Sequence, residues 1–217
     1  MLILLKKIFS FFYLILYFLH RLTFLFKLRR IFSSPSYIIS VGNLSVGGSG
    51  KTPMVELLAR RLSFKKLFPS IISRGYKRKS QKNIIVSDNK SILANINDSG
   101  DEPYMLASSL PGVPVWVGKK SDILGLSYKK NFPKSIILDD GFQSLYIKKN
   151  LDILLIDVSV DFNQYKLLPY GLLREPLSAI NRANIIVLTK CNFGEKNINK
   201  IKALISSYLY NHNTTIF

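Results

Sequence analysis

A glycine-rich turn between an apolar run and an amphipathic run limits the folds that this chain can adopt. The stretch VGNLSVGGSGKTP occupies residues 41–53 and begins at the last residue of the apolar run YIISV at 37–41. From Thr52 to Leu62, apolar residues recur every four positions, which predicts a helix. A strand, a glycine-rich loop and a helix in this order are typical of a phosphate-binding loop. The sequence therefore predicts an α/β fold with a phosphate site at this turn.

The turn supplies the groups that bind a nucleoside triphosphate. Glycines bring backbone N–H groups close to phosphate oxygens, and the helix N-terminus adds partial positive charge. We expect Lys51 to reach the β- and γ-phosphates and Thr52 to bind Mg²⁺. Ser45 stands where the usual pattern has its first glycine, and an ordinary glycine-rich turn is the alternative. The residues predicted to hold ATP are Gly47, Gly48, Ser49, Gly50, Lys51 and Thr52.

Further apolar runs predict a doubly wound, mostly parallel sheet of the P-loop NTPase type. Several runs are continuous rather than alternating, as strands buried on both faces require. Predicted helices near 102–109, 121–130 and 196–210 alternate with them. The other predicted strands are 70–73, 83–87, 113–117, 135–139, 151–157 and 184–189.

The acidic end of one apolar strand is a second candidate site. The run SIILDDGFQ contains Asp139 and Asp140 at the end of the predicted strand. A carboxylate at this end of a strand, in the same sheet as the phosphate loop, can hold Mg²⁺. Adjacent strand residues point in opposite directions, so one aspartate is predicted to serve the metal and the other a substrate. A simple Asp-Gly turn is the alternative.

Three further motifs carry charged residues. In SGDEPYMLA, Asp101 is either a helix N-cap or a catalytic carboxylate, and spacing alone favours the cap. SRGYKR at 73–78 and LLPYGLLREPL at 167–177 are predicted turns whose arginines can meet phosphate.

The N-terminal segment is apolar and basic, and no acidic residue precedes Glu56. A helical projection separates an apolar side from a polar side, which suits a membrane interface. Basic residues that follow the apolar run favour anionic headgroups and the cytoplasmic side. Residues 1–32 are predicted to form this membrane helix and residues 33–217 the P-loop domain. The polar side comprises Lys6, Ser10, Tyr13, Tyr17, His20 and Arg21, and the basic residues that follow are Lys27, Arg29 and Arg30.

Three alternatives for this segment stay open. The stretch from Leu2 to Phe26 is a possible membrane span, or the helix packs on the core of its own domain. A signal peptide is the third alternative, although no small-residue cleavage site follows Leu19.

Charge and cysteine content restrict the partners and the compartment. The 217 residues carry a formal net charge of +18, which favours nucleic acid, nucleotide or an acidic membrane as partner. Because no basic stripe is interleaved with aromatic residues that could stack on bases, we do not expect nucleic acid. The single Cys191 excludes an internal disulfide and fits a reducing compartment.

Taken together, these motifs resemble one family, the tetraacyldisaccharide 4′-kinases of lipid A biosynthesis. The family has Ser or Thr where the strict loop pattern has glycine, which accounts for Ser45. The matching segments cover about residues 1–195 in the order of the family. They are the apolar basic N-terminus, SVGNLSVGGSGKTP, SRGYKR, GDEPYMLA, VPVWVGKKS, ILDDGFQ and LLPYGLLREPLSAINRANIIVLTK.

The resemblance implies phosphorylation of the 4′-hydroxyl of lipid A disaccharide 1-phosphate, with ATP and Mg²⁺. The reaction takes place at the cytoplasmic face of a Gram-negative inner membrane, beside anionic lipids, and the protein is expected to be a monomer. The resemblance makes Asp101, Lys51 and Asp140 catalytic and assigns the metal to Thr52 and Asp139. The residues implied for the substrate are Arg74, Tyr76, Asp140, Gln143, Arg174 and Glu175.

Two departures from the family keep other functions open. Ser144 stands where the family has histidine, and the family adds a C-terminal lobe with a histidine that partners the catalytic aspartate. We expect this lobe to be absent, because family members run to three hundred residues or more and this chain has 217; neither of its histidines, His20 and His212, is assigned the missing role. The alternatives are a nucleotide-binding remnant without activity, a nucleic-acid-binding P-loop protein and a membrane-associated regulatory ATPase. The signature lysine of the last class is replaced by Val46.

Overall fold

A long N-terminal helix precedes an alternation of strands and helices. The structure is a computed structural model and describes residues 2–26, 31–76, 78–126, 133–210 and 214–217. The helices are α1 (Leu2–Phe26), α2 (Lys51–Phe64), α3 (Ile96–Ser99), α4 (Asp101–Ser109), α5 (Lys120–Gly125) and α6 (Cys191–Tyr208). The strands are β1 (Tyr37–Asn43), β2 (Pro69–Ser73), β3 (Ile84–Ser87), β4 (Val115–Val117), β5 (Ser135–Asp139), β6 (Leu151–Asp157), β7 (Ile185–Thr189) and β8 (Thr215–Ile216).

The chain divides into two compact units, each built from separate segments. We call them the helix unit, which comprises Met1–Arg30, Asn43–Gly50 and Ile153–Phe217, and the carboxylate unit, which comprises Ile31–Gly42 and Lys51–Asp152. The backbone passes from the first to the second within the phosphate loop. The predicted domain boundary after residue 32 stays a prediction.

The carboxylate unit contains a mostly parallel sheet. Its strands lie in the order β3-β4-β2-β5-β1, and β2 pairs in parallel with both β4 and β5. β1 also pairs in parallel with β5, whereas β3 is antiparallel to β4. All residues of β2 and β5 are buried. This burial explains their continuous apolar sequences, because a central parallel strand has no solvent face.

Helices cover this sheet. Ile72, Ile136 and Leu138 of the strands share a buried cluster with Ile123 and Leu124 of α5. The strands β2 and β5 also contact α2, in which Val55 and Ala59 are buried. Apolar burial of this kind stabilises the unit by about 25 cal/mol per Å² removed from water.

The helix unit has its own parallel strands in the order β6-β7-β8. After β7, Lys190 adopts a left-handed conformation with φ of 57°, and α6 begins at the next residue. The sequence predicted this helix only from residue 196. The two-residue strand β8 and the single-turn helix α3 were not predicted, because such short elements leave no periodic pattern.

The predicted α/β fold class is confirmed. Every predicted strand has a counterpart whose ends differ by at most two residues. The predicted helix at 121–130 corresponds to α5, which ends at Gly125, and residues 127–130 lie outside the described part of the chain. His212 and the basic residues at 27–30 lie outside it as well.

Gly42 tests how tightly β1 packs. A Cβ added to Gly42 would lie 2.5 Å from Cβ and 2.8 Å from the backbone N of Phe142. Because the backbone cannot yield as a flexible side chain does, we expect Gly42→Ala to lower the free energy of unfolding by about 1–3 kcal/mol. A Cβ added to Gly125 would meet no packing partner within 4 Å, so Gly125→Ala is the matched control and should not lower the free energy of unfolding. Urea unfolding measures the stability of both variants. Equal unfolding midpoints for Gly42→Ala and Gly125→Ala would show that the packing around Gly42 adapts.

Candidate functional site

The phosphate loop lies between β1 and α2, as predicted. Gly47 and Gly50 have φ of 107° and 83°, which glycine adopts without strain. Gly47 and Gly48 are exposed, so their backbone is accessible to a ligand. Ser45 forms an antiparallel bridge with Leu173 and does not have a positive φ. The missing first glycine of the motif is thereby explained, because position 45 has ordinary strand-like geometry.

Contacts within the helix unit hold this loop. Thr189, at the end of β7, donates a hydrogen bond from Oγ1 to the carbonyl oxygen of Ser49 at 3.0 Å. The backbone N–H of Val46 donates to the carbonyl of Leu172 at 2.8 Å. Sequence reasoning missed Thr189, although the end of an apolar strand was a signal that could have pointed to it.

In the carboxylate unit, the two predicted aspartates diverge at the end of β5. Asp139 is 3% exposed and accepts a hydrogen bond from Ser73 Oγ at 2.8 Å. Burial raises the pKa of Asp139, and the Ser73 hydrogen bond opposes that shift. Asp140 leaves the strand with φ of 48°, and its Oδ1 lies 3.9 Å from Lys51 Nζ. The arrangement brings together one buried carboxylate and one carboxylate that faces the lysine of the phosphate loop.

Lys120, at the start of α5, belongs to the same cluster but was not predicted. It is 6% exposed, and its Nζ donates to the backbone carbonyl of Asp140 at 2.7 Å. Burial lowers the pKa of Lys120 to about 8, against the opposing effect of Asp139 and Asp140. The neighbouring Lys119 is exposed and pairs with Asp122 at 3.1 Å. Two adjacent lysines look alike in a sequence, so only the fold distinguishes them.

The first turn of α4 holds two carboxylates. Gly100 occupies the N-cap with φ of 87°, so the interpretation of Asp101 as the N-cap is wrong. Asp101 is exposed at the first position of the helix. Partial burial raises the pKa of the next residue, Glu102, and the charges of Asp139 and Asp140 raise it further. Glu102 was missed by the prediction, although the adjacent acids of the GDEP motif carried the signal.

The other predicted residues of the carboxylate unit follow the ends of β2 and β5. Arg74 directly follows β2, and its charge contributes to the lowered pKa of Lys120. Tyr76 is 77% exposed, and Gln143 is half-buried. Because β2 and β5 are parallel neighbours, their carboxyl ends share one edge of the sheet, where ligands bind in open α/β sheets.

The residues present fit Mg²⁺. No group of three or more His, Cys, Asp or Glu that could hold a metal occurs in the described part of the chain. Mg²⁺ does not need such a group, since it is usually held by one or two carboxylates, phosphate oxygens and water. Asp139, buried at the end of β5, carries the hard oxygen atoms that this ion prefers, and the assignment of the metal to Asp139 and Thr52 stays a prediction.

Arg174 and Glu175 lie in the helix unit and make structural contacts. The guanidinium of Arg174 donates to both the backbone and side-chain oxygens of Asn43. Glu175 is 4% exposed, lies 2.9 Å from Arg182 Nη1 and accepts a hydrogen bond from Tyr17 Oη at 3.0 Å. Their assignment to the substrate stays a prediction, and the geometry gives both residues a role in holding the helix unit together.

The polar side of α1 contacts the segment 167–175. Ser10 Oγ donates to the carbonyl of Leu167 at 2.9 Å and accepts from the N–H of Tyr170 at 3.0 Å. Tyr13 Oη donates to the carbonyl of Arg174 at 2.7 Å. The predicted division of the helix into two sides is therefore present, with the polar side bound to protein.

The apolar side of α1 is exposed. By length and composition alone, Ile3–Leu22 is long and apolar enough to cross a membrane, with a mean hydropathy of 1.6, and none of this window is buried. The alternative of a helix packed in the core of its own domain is thus wrong for the described residues. The exposed large apolar residues are Ile3, Leu4, Leu5, Ile8, Phe9, Phe11, Phe12, Ile15, Leu16, Phe18, Leu19 and Leu22.

Comparison with known proteins gives consistent matches. The family model of tetraacyldisaccharide-1-P 4′-kinase, LpxK, matches residues 2–215. The tetraacyldisaccharide 4′-kinase of Geobacter sulfurreducens is 44% identical over 160 residues, which is 73% of this chain and 45% of the relative. That of Halothermothrix orenii is 36% identical over 217 residues, which is 98% of this chain and 55% of the relative. The chain thus spans about half the length of the curated relatives it matches.

A solved structure matches as well. The crystal structure of the "apo" form of LpxK from Aquifex aeolicus in complex with ATP has a TM-score of 0.77 and 40% sequence identity to this chain. The match covers 88% of this chain and 60% of that protein. This similarity supports the fold described above.

Glu175→Gln tests the structural role of Glu175. The substitution keeps the shape of the side chain but leaves the guanidinium of Arg182 opposite a neutral amide. We expect the free energy of unfolding to fall by about 2–3 kcal/mol, less than for a fully buried pair because Arg182 retains some contact with solvent. Glu195→Gln, at an exposed position of α6, is the control and should leave stability unchanged. Unaltered urea unfolding of Glu175→Gln would instead favour a substrate role.

Proposed function

The chain belongs to the tetraacyldisaccharide-1-P 4′-kinase family, and we propose that it transfers the γ-phosphoryl group of ATP to the 4′-hydroxyl of a lipid A disaccharide 1-phosphate. One observation carries the proposal. Lys51 of the phosphate loop faces Asp140, beside the buried Asp139, at the carboxyl end of β5. A lysine, a metal-binding carboxylate and a second carboxylate are the parts that phosphoryl transfer requires.

The phosphate-loop motif binds the nucleotide in this proposal. Backbone N–H groups of Gly47–Gly50 bind the phosphates, and Lys51 neutralises charge on the transferred group. Thr52 and Asp139 hold Mg²⁺, which when bound neutralises charge on the β- and γ-phosphate oxygens. The ATP complex of the Aquifex aeolicus protein supports ATP as the nucleotide.

The carboxylates beyond the phosphates serve the acceptor. The 4′-hydroxyl oxygen attacks the γ-phosphorus, its proton passes to Asp101, and ADP leaves. Phosphoryl transfer needs little covalent chemistry from a protein, so positioning and charge compensation carry most of the catalysis. Asp140 and Gln143 orient the acceptor, and Arg74 and Tyr76 follow the neighbouring strand end. Glu102 shares the electrostatic surroundings of Asp139 and Asp140.

The membrane is the proposed site of the reaction. An acylated acceptor stays in the bilayer, so the enzyme must come to it. The apolar side of α1 supplies the contact, because its large apolar residues are exposed while its polar side is bound to the segment 167–175. We place the protein at the cytoplasmic face of the inner membrane, where ATP is available, as a monomer in contact with anionic lipids.

Lys51→Ala tests the proposed activity. We expect transfer of ³²P from ATP to lipid A disaccharide 1-phosphate, in membranes that contain the chain, to fall at least about a hundredfold, because the charge on the transferred phosphoryl group loses its partner. Lys65→Ala, at an exposed position just after α2, is the matched control. Equal transfer by Lys51→Ala and the original chain would contradict the phosphate-site assignment. If the original chain binds ATP but transfers nothing, it acts as a nucleotide-binding portion only.

Asp101 and Glu102 can be separated by isosteric amides. We expect Asp101→Asn to lower kcat about a hundredfold with little change in the Kd for ATP, because a general base contributes on this scale. Glu102→Gln should lower kcat less than about tenfold, since Glu102 is proposed to share the electrostatic surroundings of Asp139 and Asp140 without accepting the proton. The same transfer assay and calorimetric ATP binding measure both effects. A larger loss in Glu102→Gln would transfer the role of base to that residue.

A further inference from the structure

The turn that follows β5 has an unfavourable backbone conformation at its first residue. Asp140 has φ of 48°, in the left-handed region that favours glycine. A non-glycine residue in this region is strained, so surrounding contacts must hold it there. The direction of the Asp140 carboxylate, 3.9 Å from Lys51 Nζ, depends on this conformation.

Three separate hydrogen bonds hold the turn. Lys120 Nζ donates to the carbonyl of Asp140 at 2.7 Å. The backbone N–H of Gly141 donates to the carbonyl of Val41 in β1 at 2.9 Å. Lys149 Nζ donates to the carbonyl of Phe142 at 3.2 Å. Each of the three consecutive residues 140–142 is therefore bonded to a different part of the carboxylate unit.

Of the three donors, Lys120 is the one that lies at the start of a helix. Lys120 is the first residue of α5. Because Ile123 and Leu124 of this helix are buried in the apolar core, the backbone of Lys120 is held in place. A buried ammonium group is costly unless opposite charges compensate it. Asp139 and Asp140 offset part of that cost, since both favour the charged form of Lys120 against the larger effect of burial. An apolar side chain would fill the same space without this cost but could not bind the carbonyl.

We propose that Lys120 is a positioning residue for phosphoryl transfer, whose hydrogen bond to the Asp140 carbonyl fixes the left-handed turn and thereby keeps the carboxylate of Asp140 opposite Lys51 and that of Asp139 at Ser73. The inference rests on the function proposed above and deepens it. Lys120 acts through the turn and does not itself touch the reacting atoms.

Lys120→Met is the central variant, because methionine has nearly the length of lysine but neither the charge nor the donor. We expect kcat of the transfer reaction to fall about tenfold, equivalent to 1.4 kcal/mol, and the KM for MgATP to rise only about threefold. Thermal stability should also fall, because the Asp140 carbonyl loses its donor and the nearby carboxylates lose a positive charge, so stability alone does not test the proposal. Lys120→Arg, which keeps charge and donor, should recover part of the loss. Lys119→Met removes the exposed neighbour and should behave as the original chain.

A double-mutant cycle distinguishes positioning from a general structural role. If Lys120 acts through Asp140, then Lys120→Met should add little to the loss already caused by Asp140→Asn. Effects that add fully would overturn the proposal. Both kcat and ATP affinity are measured for the two single variants and the double variant.

Binding measurements keep the test independent of turnover. The Kd for ATP is measured by calorimetry with and without Mg²⁺. The ratio of the two values is the gain in affinity due to Mg²⁺, and this gain is compared between the variants and the original chain. We expect this gain to fall at least about threefold in Lys120→Met, because Asp139 is held less well, and to persist in Lys119→Met. Should Lys120→Met not fold, Lys120→Gln takes its place with the same expected loss, since its amide is too short to reach the carbonyl.

The outcomes separate the two proposals. An undiminished Mg²⁺-dependent gain in the Lys120 variants overturns the positioning role, whatever the transfer assay shows. Absence of transfer by the original chain, with the gain lost only in the Lys120 variants, overturns the kinase activity of this chain and supports the role of Lys120.

Discussion

The parallel pairing of β2 with β5 is the constraint on which the candidate site depends. Because both strands run in one direction and are buried along their whole length, their polar ends emerge at the same edge of the sheet. Ser73 thus reaches Asp139, although 65 residues separate them in sequence, and the SRGYKR and DDGFQ motifs become neighbours. The continuous apolar runs that make these strands stable are therefore also what brings the polar residues together.

Charge compensation in this cluster is local and specific. The +18 net charge of the chain describes its average attraction to anions, but the site depends on individual contacts. Asp139 is stabilised by the Ser73 hydroxyl, Asp140 faces Lys51, and Lys120 bonds the turn between them. In partly buried surroundings the interaction energy of each such contact is larger than it would be at the surface, because water screens the charges less.

The N-terminal helix combines an apolar side with a side that binds the protein. Its apolar side suits lipid, and its hydroxyl-bearing side binds the backbone of the segment 167–175 through Ser10 and Tyr13. Tyr17 adds a hydrogen bond to the buried Glu175. A helix held through hydrogen bonds can leave its apolar surface exposed, since it does not need that surface for attachment to the protein. The proposed membrane contact and the packing of the helix unit are thus compatible.

The sequence by itself determined the strands β1 to β7, the helix after the phosphate loop, the two sides of α1 and the family, because hydrophobic periodicity and short motifs are local properties of the chain. Only the tertiary structure distinguished Lys120 from Lys119, placed Glu102 beside the carboxylates and showed Gly100 at the N-cap of α4. It also showed that Glu175 is bonded to Arg182. These features depend on burial and on partners distant in sequence, and no pattern of neighbouring residues encodes which side chain turns toward the core.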